Sequence, residues 1–442
     1  MGDMTGDGSA ASTYLLRQVR VLDPVTHCDR IADVLIADNK IRAIETALTS
    51  LPEGIDAAAV NEVRRPGAIL GPGLVEFYSH ASDPGFESRE TVDTLARSAL
   101  LGGFTRLMLL PTTQPVIDHK AGLMQLRARF SEQCPGLKVG VWGGLTAGLL
   151  GRQLSDLGEL ATAGAVGFTN AGALPNEMLY PALEYGQALN KPIGISLCRS
   201  PRPAREGAAA LRLGLPSASA ADETAVLAAL LEQLDTIPAS VHVMQLSTAR
   251  GVALVAEAKT RGLPVTASTT WLHMLKDTTH LDTYNPNLRI HPPLGNPRDR
   301  EALVHGVATG TIDGIAIEHC PHTYEEKTVP FAESPPGVIG LQMALPLLWN
   351  QLVEAGRLSA LELWRALSTH PAQCLQQPPP SLALHQDAEL VLFDPTERWE
   401  ATPQALASLS HNTPWLYQPV PGRVVELWLP TDSATAGPPQ GS

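Results

Sequence analysis

The residues with chemistry to offer stand at the ends of apolar runs. His80 closes Gly73-Leu74-Val75-Glu76-Phe77-Tyr78-Ser79, while Glu318, His319, Cys320 and His322 crowd the end of Gly314-Ile315-Ala316-Ile317. Imidazoles and carboxylates carried at strand ends are the groups that hold a catalytic zinc or move protons. Such chemistry requires a fold that brings the ends of distant strands to one place. Cys198 and Cys320 also lie near strand ends, but no nucleophile motif surrounds either, and both read as inert buried thiols. Asp83 and Glu87, beside Pro84-Gly85, read as the cap and first turn of a following helix rather than an acid–base pair.

The elements that would position these groups alternate along the chain. Thr105 to Leu110, Lys138 to Trp142, Ala165 to Thr169, Pro192 to Leu197, Ser240 to Leu246, Leu263 to Ser268 and Gly314 to Ile317 are short and apolar. Between them lie Ala- and Leu-rich helical stretches such as Glu90 to Leu101, Ala221 to Leu234 and Ala249 to Arg261. This alternation predicts an α/β fold, a TIM-type (β/α)8 barrel over residues 71–382, with its functional end at the carboxyl ends of the strands. Strand-like runs at both chain ends, such as Ile31 to Ile36 and Gly422 to Trp428, predict one small β-sandwich-like domain from residues 13–70 and 383–430. Residues 1–12 and 431–442 read as flexible tails, and Pro378-Pro379-Pro380 as a stiff connector.

Composition narrows the functional classes. A chain of 442 residues with 44% hydrophobic and 17% charged residues supports an extensive core. A net charge of -13 argues against nucleic acid or an anionic membrane surface as partner. Ser334 to Val353, the longest weakly charged stretch, is broken by Pro335, Pro336 and Pro346 and makes a poor membrane span. Five scattered cysteines and no basic-then-apolar leader lead us to expect a reduced, cytoplasmic protein.

The order of its motifs resembles the dihydroorotase branch of the amidohydrolase superfamily. The carriers are Asp83-Pro84-Gly85-Phe86-Glu87, Gly102-Gly103-Phe104-Thr105, Leu110-Pro111-Thr112-Thr113-Gln114-Pro115, Leu246-Ser247-Thr248-Ala249, Pro292-Pro293-Leu294 and Cys320-Pro321-His322. Active members interconvert carbamoyl aspartate and dihydroorotate with zinc. The resemblance implies a ligand set that this chain departs from at nearly every position. Tyr78 stands for the first His of the paired His, with only His80 kept. Asn170-Ala171 replaces an acidic pair, and Ser196 replaces a later His. His242 is kept in a His-x-x-His stretch whose ligand slot is Gln245, and Glu318 replaces the strand-end Asp. On the substrate side, Ser82 replaces an Arg, Thr112 an Asn, His291 an Asn and Gly295 an Arg.

With these losses the plain reading of His80, His242 and His273 is a hydrogen-bonded structural histidine. His319 and His322 read as pocket neighbours without a catalytic role. The expected protein is a catalytically inactive homologue, without a cofactor. Its implied role is as a structural subunit for the aspartate transcarbamoylase catalytic chain, as a homo-oligomer within that complex. The alternative is a divergent cyclic-amide hydrolase with one zinc on His80, Glu318 and Gln245. A third reading is a sensor that uses the old pocket for a small ligand.

Overall fold

The computed structural model describes residues 13–430; the two stretches read as tails lie outside the described residues. Eight strand positions run parallel around a ring: β1 (Leu74–His80), β2 (Phe104–Leu110), β3 (Lys138–Val141, continued as Gly143–Gly144), β4 (Phe168–Ala173), β5 (Ile193–Ser196), β6 (Val241–Met244), β7 (Val265–Thr270) and β8 (Gly314–Ala316). Trp142 interrupts β3, yet its N–H still donates to Leu109 O at 2.9 Å, so the ladder continues through it. The ring closes between β8 and β1. There the buried Glu76 carboxylate accepts the N–H groups of Ile317 and Glu318, each at 2.8 Å, and His80 N donates to His319 O at 2.9 Å.

The interior is apolar at its waist. Phe77, Met108, Leu110, Trp142, Met244 and Ala316 share one buried cluster, and the Trp142 indole N–H reaches Phe77 O at 2.9 Å. Filling a barrel with large side chains makes it a packed core rather than a pore. Helices such as Val92–Leu101, Ala221–Leu234, Ala249–Thr260 and Pro297–Thr309 cover the outside. The first of these starts later than the sequence suggests. Thr91 caps it, while Asp83 pairs with Arg129 and Glu87 accepts Gly85 N at 2.9 Å. Acidic residues before a helix serve an ion pair and a turn here, not the cap.

The strands from both chain ends form one seven-stranded sheet. Thr13–Asp23 is central, between Cys28–Ala37 and Ile69–Pro72, and Leu390–Glu400 joins the latter to Pro419–Trp428. Ile69–Pro72 leads through Gly73 directly into β1. A Cβ at Gly73 would lie 2.2 Å from the Thr105 side chain, so only glycine lets the chain pass this close to β2. Among the described residues, no helix is long and apolar enough to cross a membrane.

Candidate active-site cavity at the barrel mouth

A cavity of about 180 Å³ opens at the carboxyl ends of the strands, where barrel sites are built. His80, Ser196, Gln245, His291 and Glu318 line it, together with Cys320. The remaining candidates stand behind these walls. Thr112 binds His80 Nδ1 at 2.9 Å, and Asn170 is turned to Thr146 and Leu149 O. Ser82 is buried, and its carbonyl accepts Phe86 N at 2.6 Å. Tyr78, His242 and His322 are buried, and none of them lines the cavity. Arg199 points away, exposed and bonded to Leu174 O and Asn176.

Three cavity residues carry backbone strain. Ala171, Gln245 and Glu318 have φ of 50°, 56° and 50°, the left-handed region, which costs a residue other than glycine ~1–3 kcal/mol. Ala171 lies within β4, Gln245 and Glu318 lie just past β6 and β8, and all three line the cavity. Such strain is typical of functional sites.

The polar groups in the mouth are tied to one another. Gln245 N–H donates to Tyr78 Oη at 3.0 Å, Tyr78 Oη meets Ser268 Oγ at 2.8 Å, and Ser268 Oγ meets His242 Nε2 at 2.9 Å. On the other side of the ring, His242 Nδ1 meets Thr266 Oγ1 at 2.9 Å, and that hydroxyl donates to Val241 O at 3.3 Å. One direction satisfies every group. The phenol donates to Ser268, Ser268 to Nε2, Nδ1–H to Thr266, and Thr266 to the carbonyl. Burial pushes the His242 pKa down to about 3, which keeps the ring neutral as that chain requires, and it stacks on Phe77 at 4.7 Å. A second chain runs from Ser196 Oγ to Gln245 Oε1 at 2.8 Å, and from Gln245 Nε2 to Glu318.

Burial pushes the Glu318 carboxyl up to about 8, opposed by His80, and the Glu76 carboxyl beneath it up to about 7, opposed by the two backbone N–H groups. Burial lowers the His80 pKa. The mouth therefore presents a largely uncharged polar surface near neutral pH. His273 is equally neutral, pushed down to about 3 by burial and held by Thr270 and Pro292 O.

Zinc would need about three nitrogen, sulfur or carboxylate ligands around an open position. Here His80 and Glu318 are such donors, but the Gln245 carbonyl already accepts Ser196 and the Tyr78 phenol is bound on both sides. Among the described residues, no three His, Cys, Asp or Glu side chains are gathered to hold a metal. The donor set does not fit the group.

Sequence reasoning missed Glu76, Ser268, Thr270 and the wall formed by Pro336, Gly337 and Val338. Glu76 carried a signal, a lone carboxylate in an apolar strand. The wall carried none, since its place depends on a loop that returns from outside the barrel.

The architecture defines a TIM-barrel amidohydrolase fold with a separate β-rich domain from the chain ends. Similar solved structures include L-hydantoinase (dihydropyrimidinase) from Arthrobacter aurescens, with a TM-score of 0.81 at 20% identity over 94% of both chains. Dihydropyrimidinase from Brevibacillus agri gives 0.76 at 19%, over 94% of this chain and 93% of that one. A family model described as Dihydro-orotase-like matches residues 67–185. A probable dihydroorotase-like protein of Synechocystis sp. is 40% identical over 92% of this chain and 98% of its own length. A dihydroorotase of Syntrophotalea carbinolica is 35% identical over 93% and 96%. The chain belongs to the dihydroorotase-like family of the amidohydrolase superfamily.

Proposed function

We propose that this chain is a catalytically silent member of its family that acts as a structural subunit for the aspartate transcarbamoylase catalytic chain in pyrimidine biosynthesis. It would do so in the cytoplasm, as a homo-oligomer within that complex and without a metal cofactor. The observation that carries the silent part is the hydrogen-bonded chain through Tyr78. Where the resemblance expects a metal-binding imidazole, a phenol spans β1 to β6 and β7, its hydroxyl engaged by Ser268 Oγ and by Gln245 N–H. The partner is the one the resemblance implies. Co-expression of the two chains tests it: a stable mixed complex with higher transferase assembly or activity is expected. Separate migration at micromolar concentration contradicts it.

One observation favours a second reading, a divergent cyclic-amide hydrolase with one zinc on His80, Glu318 and Gln245. Glu318, poised at about 8 on an open cavity beside His80, has the pKa of a usable proton carrier. That reading requires Gln245 to release Ser196 and turn its carbonyl to a metal. Zinc content and turnover of dihydroorotate or related cyclic imides separate the two.

A further inference from the structure

Gln245 stands just past β6, with only 8% of its surface exposed, and its bonds leave in three directions. The backbone N–H donates to Tyr78 Oη at 3.0 Å, Oε1 accepts Ser196 Oγ at 2.8 Å, and Nε2 donates to Glu318 Oε1. In the strand ladder β6 pairs with β5 and β7. Tyr78 on β1 and Glu318 past β8 are therefore reached across the mouth rather than along the wall. The next residue donates from Leu246 N to Ser268 O at 2.8 Å, so this turn is tied to β1, β5, β7 and β8 together.

An amide at this point has a chemical consequence. Its oxygen is a neutral acceptor and its nitrogen can only donate. The Glu318 oxygen that faces Gln245 is met by an N–H, the end of the amide dipole that repels a cation. A metal ion approaching Glu318 from the cavity would have to displace that N–H and take Oε1 from Ser196. The amide is not free to swing aside, because Tyr78 pins its backbone and is held in turn by Ser268 Oγ at 2.8 Å. His80 and Glu318 share the same cavity, so two groups able to bind zinc are present and the amide stands against one of them.

We propose that Gln245 is the specificity-determining residue of the mouth: its amide braces β5, β6 and β8 in place of a metal ion and keeps divalent cations from Glu318. The inference rests on the silent reading of the mouth, and on neither the partner chain nor the oligomer. It makes the absence of a metal the property of one side chain. Gln245→Glu keeps the shape of that side chain, removes the N–H donor and offers a second carboxylate beside Glu318 and His80. Two carboxylates and an imidazole are donors of the kind that zinc takes. One atom in the side chain then decides whether the mouth excludes or admits a cation.

Thermal unfolding midpoints of the full-length wild type, Gln245→Leu and Gln245→Glu, each in EDTA and in zinc chloride, read both halves of the proposal. The wild type should melt at the same temperature in both. Gln245→Leu, which loses the amide, should melt about 4 °C or more lower in both. Gln245→Glu should be lowered in EDTA and raised by at least about 3 °C by zinc, and adding His80→Ala should remove that rise, which places the ion in the mouth. If Gln245→Leu does not fold, Ser196→Ala removes one arm of the brace and should lower the midpoint by about 2 °C. If Gln245→Glu does not fold, Gln245→His also trades the amide for a zinc donor and should show the same rise. A folded Gln245→Leu or Ser196→Ala as stable as the wild type, or no rise with zinc in a folded Gln245→Glu or Gln245→His, would overturn the proposal and leave the silent reading standing. A rise with zinc in the wild type that His80→Ala removes would overturn both.

Discussion

Buried glutamates at the two ends of the barrel have opposite fates. At the joint with the outer sheet, Glu389 receives Arg106 through two bonds of 2.7 and 2.9 Å, Lys138 at 2.8 Å and Thr105 at 2.8 Å, and its pKa is driven down to about 2 against the cost of burial. At the mouth, no Arg or Lys pairs with Glu318 or Glu76, and burial drives them up to about 8 and 7. The joint is a closed ion-pair network that ties the C-terminal strands to β2 and β3. The mouth has strained strand ends and carboxyls raised by burial, with Tyr78 and Ser82 where the resemblance implies a histidine and an arginine. One end holds its glutamate in ion pairs; the other holds glutamates with no cationic partner.

Breaking the joint should have the largest effect. Glu389→Ala leaves Arg106 buried without a counter-charge, and the expected loss is ~3–5 kcal/mol in urea unfolding at pH 7. A loss below ~1 kcal/mol would remove the contrast between the ends. Because the Glu389 pKa is lowered, its contribution is present above its ordinary value and is lost as pH falls toward 2.

Tyr78→Phe comes next. It strands Gln245 N–H and opens the chain to His242, with an expected cost of ~1–3 kcal/mol. No change in the unfolding midpoint would mean that the chain is not structural. Glu318→Gln is the smallest and carries the opposite sign. The raised Glu318 pKa means that its contribution is present below its ordinary value and is lost as pH rises through about 8. The wild type should therefore lose stability between pH 5 and 8, and the variant less. Discounted for its opening onto the cavity, the gap should be ~1 kcal/mol at pH 8. Parallel pH profiles would show that Glu318 does not titrate in this range.

The barrel strands are legible in the sequence, whereas the contrast between the two ends is not, for physical reasons. Strand periodicity places β2, β5 and β6 to within one or two residues, because runs such as Ile193 to Ile195 are short and apolar. β4 begins three residues later than expected, at Phe168, although Val166 N already donates to Val141 O at 3.0 Å and Gly167 O accepts Gly143 N at 2.9 Å. The positions of Tyr78, Gln245 and Glu318 followed from motif order, but what they do did not. That Tyr78 reaches Ser268, 190 residues away, depends on ring closure, which no local pattern records. The Glu389 network joins residues more than 280 apart and left no local signal.

The proposed silence of the mouth requires that it hold no catalytic metal. The most direct test measures zinc per chain in protein purified without chelator, alongside dihydroorotate turnover, for the wild type and His80→Ala. The expected result is zinc well below one ion per chain, no turnover above background, and no difference between the two proteins. One zinc per chain with turnover that His80→Ala abolishes would contradict it.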